Sequence, residues 1–200
     1  MRNRKKGFVF FVIAVVCFVL ALSLCGFNVY ENYKAQKSSQ IALQQIHQMI
    51  SSDNAPAGQV PDYQLNPNME MPTVTVGGLE YIGKLEIPSH GLVLPIISNW
   101  SYPNLKKAPC RYSGSAYTND LILAAHNFSS HFGNLKSLAL GDTVFFTDVD
   151  GNVFSYRVAE RETLQPTAIE EMKSGNWDLT LFTCTLGGSY RVTVRCVLEQ

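Results

Sequence analysis

The chain has no excess of either charge. Sixteen Lys and Arg face sixteen Asp and Glu, and four of the cations, Arg2, Arg4, Lys5 and Lys6, crowd the first six positions. The remainder leans slightly acidic. That excludes the basic surface needed to hold a phosphate backbone, so no nucleic-acid partner is expected. Nucleotide loops of the G-x-x-x-x-G-K-[ST] and G-x-G-x-x-G types are missing, as are a G-x-S-x-G elbow and any Cys-x-x-Cys or His-x-x-x-His pair. Neither a cofactor nor a metal is expected. Cysteine is scarce. Of five, Cys17 and Cys25 lie in an apolar run, leaving Cys110, Cys184 and Cys196. Three outside a membrane cannot all pair, so at least one thiol stays free. Spacing leaves open whether Cys110 and Cys196 bond to each other.

What is present divides unevenly. Phe8 to Phe27 (FVFFVIAVVCFVLALSLCGF) carries neither charge nor proline over twenty residues. As a helix it spans about 30 Å, the hydrocarbon thickness of a bilayer. The basic residues before it place residues 1–7 in the cytoplasm and the bulk of the chain outside. A cleaved signal peptide fits less well, because the apolar run is too long and ends without a small-residue site. Residues 8–30 are therefore expected to be an uncleaved, single-pass anchor. Residues 31–75 follow as a stalk, polar and helical to about Ser52. A linker then contains Pro56, Pro61, Pro67 and Pro72, a density that disfavours a core of its own.

From 76 to 200 short apolar or alternating runs are separated by turn residues: YIGKLEIP, GLVLPII, NDLILAAH, DTVFFTD, GNVFSYRVAE, WDLTLFTC and YRVTVRCVL. They predict a mainly β domain, a closed barrel or a sandwich. In LTLFTCTLGGSYRVTVRC (179–196) a strand ends on Cys184, turns through Gly187 and Gly188, and returns carrying Arg191 and Arg195. A thiol at a strand end is accessible. A guanidinium on the neighbouring strand can favour thiolate and bind an oxyanion. Period-2 alternation puts both arginines on one face, so spacing does not choose between them. A thiolate also needs a proton donor, and His126, at the end of the strand LILAA, is the candidate beside His131 in the following loop. Without further information, each of these residues reads as readily as a core or surface side chain.

Thr180-Leu181-Phe182-Thr183-Cys184 resembles the T-L-x-T-C signature of the sortases, the membrane-anchored cysteine transpeptidases of Gram-positive bacteria. Leu123-Ala124-Ala125-His126-Asn127 is similar to the family's A-G-H motif, with Ala125 in place of glycine. Phe132-Gly133-Asn134-Leu135, Leu140-Gly141-Asp142, Ile82 to Pro88 and Tyr112 to Ser115 match flanking segments. The resemblance covers roughly residues 80–198. It implies an eight-stranded β-barrel with Cys184 as nucleophile, His126 as proton donor and Arg191, rather than Arg195, as oxyanion partner. Thr180, Thr183, Ala125 and Asn127 are expected to meet substrate, and His131 to be structural. The implied substrates are secreted proteins with a C-terminal sorting signal of L-P-x-T-G type, passed through a thioacyl enzyme to a cell-wall peptide or pilin amine. Subclass features divide: Asn127 is class B-like, whereas the short loop from Thr185 to Tyr190 is compact for that class. A catalytically silent, membrane-tethered binding module of the same fold is the alternative.

Overall fold

A computed structural model of the chain describes residues 2–52 and 60–199. Helix α1 (Arg2–Ser52) and a single turn, α2 (Asp62–Leu65), precede the β domain. There β1 (Val74–Val76), β2 (Leu79–Ile87) and β3 (Leu92–Ile97) lead through α3 (Tyr102–Leu105) to β4 (Cys110–Ser113) and β5 (Leu121–Ala125). Then come β6 (Thr143–Asp148), β7 (Val153–Leu164), α4 (Ile169–Lys173), β8 (Leu179–Cys184) and β9 (Arg191–Leu198). Hydrogen bonding runs β2-β3-β4-β5-β8-β9-β7-β6, and β6 pairs back to β2, so eight strands close into a barrel. β1 adds a short ninth strand to β2.

Closure is why the alternating runs succeed as a fold, since a closed sheet leaves no edge unpaired. The inward set of each strand, including Leu85, Leu94, Leu123, Phe146, Leu181 and Val194, fills the interior. Where β2 meets β6, Gly83 sits against Asp148 in register. A Cβ there would lie 2.0 Å from the Thr147 carbonyl oxygen, so glycine alone lets the strands join at that point. β4 escaped the sequence reading because four residues, CRYS, are too short to display a period.

The stalk and linker behave differently from an independent tether. α1 continues without interruption from the apolar run to Ser52, and that run is long and apolar enough to cross a membrane. Its second half buries Ala35, Ser39, Ala42 and Ile46, a stripe at helical spacing. Ala42 and Ile46 pack with Tyr81, Ile97, Leu105, Ala108, Cys110 and Ala124 on the outside of the barrel. Pro56 lies outside the described residues. Beyond it, Tyr63 stacks on Tyr117 at 4.7 Å and Met71 is buried in the main core. The chain from Pro61 onward therefore completes the barrel's packing instead of merely leading to it.

Candidate active site

β5 and β8 are neighbours and parallel, with Ala125 opposite Thr183. β5 ends at Ala125 and β8 one residue beyond Thr183, at Cys184, so the register sets His126, the residue after β5, level with Cys184. β9 runs antiparallel to β8 and sets Arg191 directly across from Cys184. Residues 185–190 close tightly between them. Thr185 N donates to Tyr190 O at 3.0 Å, and Gly187 and Gly188 take φ of 83° and 76°, where side chains are strained. The three groups line one groove of about 220 Å³. Ala124, Tyr112 and Phe182 line it as well, with Trp100 and Tyr102 from one connection and Pro166, Ile169 and Met172 from the segment around α4. A larger cleft of about 580 Å³ shares Trp100 and Tyr112 with this groove but contains neither His126 nor Cys184.

Burial separates the two arginines that spacing left equivalent. Arg195 is 2% exposed. It donates from Nε to Glu162, from Nη1 to Met172 O and Thr180 Oγ1, and from Nη2 to Glu171 O, so it fastens α4 to the barrel. Arg191 stays partly exposed in the groove, its Nη1 donating to Gly188 O at 3.0 Å and Tyr190 O at 3.1 Å. Thr180 goes with Arg195. It is buried and borders a different cavity, with Asn119 and Trp177, away from Cys184. Thr183 and Ala125 border the groove, but the Thr183 hydroxyl is committed to Ala125 O at 2.8 Å. Asn127 donates to Thr185 O at 3.4 Å, tying the histidine loop to the cysteine loop.

His126 lies half-buried, with the Phe128 ring tilted against it at 4.9 Å. Burial and the Lys106 ammonium hold its pKa below the usual imidazole value, while Glu31 on α1 works the other way. Nothing in the sequence pointed to Glu31 or Lys106, which reach His126 only through the docking of α1 and the turn after α3. His131 is not in the groove. Its Nε2 lies 3.3 Å from Ser39 Oγ, and that hydroxyl gives its hydrogen to Lys107 O. The imidazole is then left to donate from Nε2. Its Nδ1 has no partner among the described residues, and burial pushes its pKa down to about 4.

The cysteines separate as cleanly. Cys110 belongs to the cluster under α1, outside the barrel, and Cys196 to the interior. Both are free thiols, pushed up to about 12 by burial, which keeps them protonated and inert. Cys184 is the one thiol of the β domain that reaches the groove.

A family model described as "Sortase domain" matches residues 85–199. Sortase A of Bacillus anthracis is 25% identical over 190 residues, spanning 90% of this chain and 89% of that protein. Among solved structures, a Clostridium perfringens sortase D5 transpeptidase superposes with a TM-score of 0.59 at 17% identity, over 84% of this chain and 99% of that one. Sortase C of Streptococcus pneumoniae, whose structure bears on pilin substrate specificity, gives 0.54 at 22% identity, over 79% and 88%. The relatives divide among subclasses A, C and D, and the eight-stranded closure is common ground. The chain belongs to the sortase family.

Proposed function

We propose that this protein is a membrane-anchored cysteine transpeptidase, with Cys184 as nucleophile, His126 as proton donor and acceptor, and Arg191 as oxyanion partner. The supporting observation is that Arg191 stands opposite Cys184 in strand register while His126 directly follows the parallel strand beside it, all three on one groove. The Cys184 thiolate attacks the scissile carbonyl carbon, and the new oxyanion is met by the Arg191 guanidinium. The C–N bond breaks as His126 gives its proton to the leaving amine. An incoming amine attacks the resulting thioester, returns a proton to His126 and expels the thiolate. A thioester keeps its acyl-transfer potential, so an amine positioned in a largely apolar groove outcompetes water.

Substrates on this reading are secreted proteins with an L-P-x-T-G-like signal near the C-terminus, and acceptors are cell-wall peptide or pilin amines. α1 anchors the enzyme with its N-terminus in the cytoplasm and the barrel outside. The test uses the full chain in detergent beside Cys184→Ala, incubated with a panel of quenched sorting-signal peptides with and without triglycine. Mass spectrometry is expected to find Cys184-dependent cleavage and an amide-linked glycine product. Absence of a thioacyl adduct with every peptide in the panel would remove the enzymatic reading in favour of a silent binding module.

A further inference from the structure

α1 climbs the outside of the barrel toward the end that carries the groove. Ala42 and Ile46 pack beside Ile97 and Ala124, and Ser39 meets Lys107 and His131 further on. Asn32 meets the loop that follows His126, its Oδ1 accepting from Ser130 N at 3.3 Å and Ser130 Oγ at 2.9 Å. Past Asn32 the helix leaves the barrel, and the run from Phe8 to Phe27 is exposed throughout. Asn32 is five residues from Phe27, a rise of about 7 Å. The polar layer flanking a bilayer's hydrocarbon is about 5–8 Å deep. Exposed Tyr30 and Tyr33 bracket Asn32, at the depth where tyrosines collect on membrane proteins.

β8 points toward this same end. It stops at Cys184, level with His126, and the loop from Thr185 to Tyr190 continues beyond. Leu186, near its tip, is 89% exposed, the most exposed large apolar side chain among the described residues, and Tyr190 is also exposed. Two or three extended residues carry the tip roughly 7–10 Å past Cys184. That is about the distance from the histidine loop to the end of the apolar run.

We propose that the groove end of the barrel sits against the outer surface of the bilayer, with Leu186 and Tyr190 inserted where headgroups meet acyl chains. The lipid surface is the fitting occupant because α1 is unbroken between the apolar run and its dock on the barrel, which fixes the direction this end faces. The inference rests on α1 spanning the membrane, as in the functional reading above. Its consequence is a restriction on substrate: a carbonyl is presented to Cys184 at high effective concentration only by a polypeptide itself held at the membrane.

Fluorescence tests this without recourse to activity. The chain has two tryptophans. Trp177 lies just before β8, at the opposite end of that strand from Cys184. The full chain carrying Trp100→Phe, Trp177→Phe and Leu186→Trp is reconstituted in phosphatidylcholine vesicles, beside a Trp100→Phe control that keeps Trp177. Lipids brominated high on the acyl chain are expected to quench the probe at 186 several-fold more than Trp177, with a blue-shifted emission. Tyr190→Trp in the same background repeats the measurement from the far side of the loop. Protein that floats with vesicles yet leaves both probes open to aqueous acrylamide and untouched by lipid overturns the proposal alone. Protein that fails to float overturns the spanning helix and the proposal with it.

Discussion

At the scale of single residues, two arginines four positions apart on one strand face do different work. Arg195 satisfies four acceptors in a buried setting. Arg195→Ala is expected to cost about 3 kcal/mol in urea unfolding, because those acceptors, the Glu162 carboxylate among them, lose their partner. Arg191→Ala removes a half-exposed side chain and is expected to leave stability within about 0.5 kcal/mol while lowering kcat/KM by about 10²-fold or more. Equal losses of stability in the two variants would dissolve this distinction. His131 supplies a second test. It is buried and neutral, with a pKa near 4 against 6.5 when unfolded. The unfolded chain therefore binds the extra proton between those values, and stability falls as pH drops from about 6.5 to 4, by about 3 kcal/mol from this group. A glutamine in its place would keep an N–H for Ser39 but cannot titrate. In His131→Gln, denaturation midpoints measured from pH 7 to 4 should lose that part of the slope.

At the scale of elements, α1 supplies both a run long and apolar enough to cross a membrane and a charge that acts on His126. Its Glu31 favours the protonated His126, whereas Lys106, after α3, opposes it. If His126 must carry a proton to release the leaving amine, activity declines as pH rises through its pKa. Glu31→Gln should move that decline to lower pH, and Lys106→Gln to higher pH, in the kcat/KM profile of the full chain. Shifts in the same direction for both would mean that the helix and the turn do not act on His126 through charge. The contact was hard to foresee. Ala35, Ser39 and Ala42 are small residues in a polar stretch, and their burial depends on a barrel surface assembled from segments far along the chain.

At the scale of the whole molecule, the barrel depends on one seam. β2 and β6 close it in antiparallel register, and at Gly83 the β6 backbone leaves no room for a Cβ. Gly83→Ala puts a methyl into the Thr147 carbonyl and is expected to cost about 3 kcal/mol or more. Amide exchange should show lost protection concentrated in β2 and β6. Protection lost evenly over all strands, or not at all, would locate the weak point elsewhere. Because Tyr63, Met69 and Met71 pack on the same core, a fragment beginning at residue 76 removes part of what holds the barrel. Functional work is better served by the full chain.

The sequence by itself determined the pieces whose chemistry is local. A strand ending in T-L-F-T-C and a histidine just after a strand ending in A-A mark a thiol and an imidazole as reachable, and the resemblance to the sortase signature, not position alone, made them the candidates for nucleophile and proton donor. An uncharged run of bilayer length announces a helix able to cross a membrane. Alternation with frequent turns announced β structure, although the short CRYS strand passed unseen. Only the tertiary structure decided what depends on distant neighbours. Arg191 and Arg195 share a face, so period alone could not rank them and only the resemblance preferred Arg191; register with Cys184 and the burial beneath α4 give the physical difference between the two. Thr180, the first residue of the motif that ends on Cys184, turned out to serve Arg195. Cys110 and Cys196 could have paired by count, yet the barrel wall puts one outside and one within. Local pattern reports which face a residue joins, whereas contact with a particular partner is set by how the closed sheet brings remote segments together.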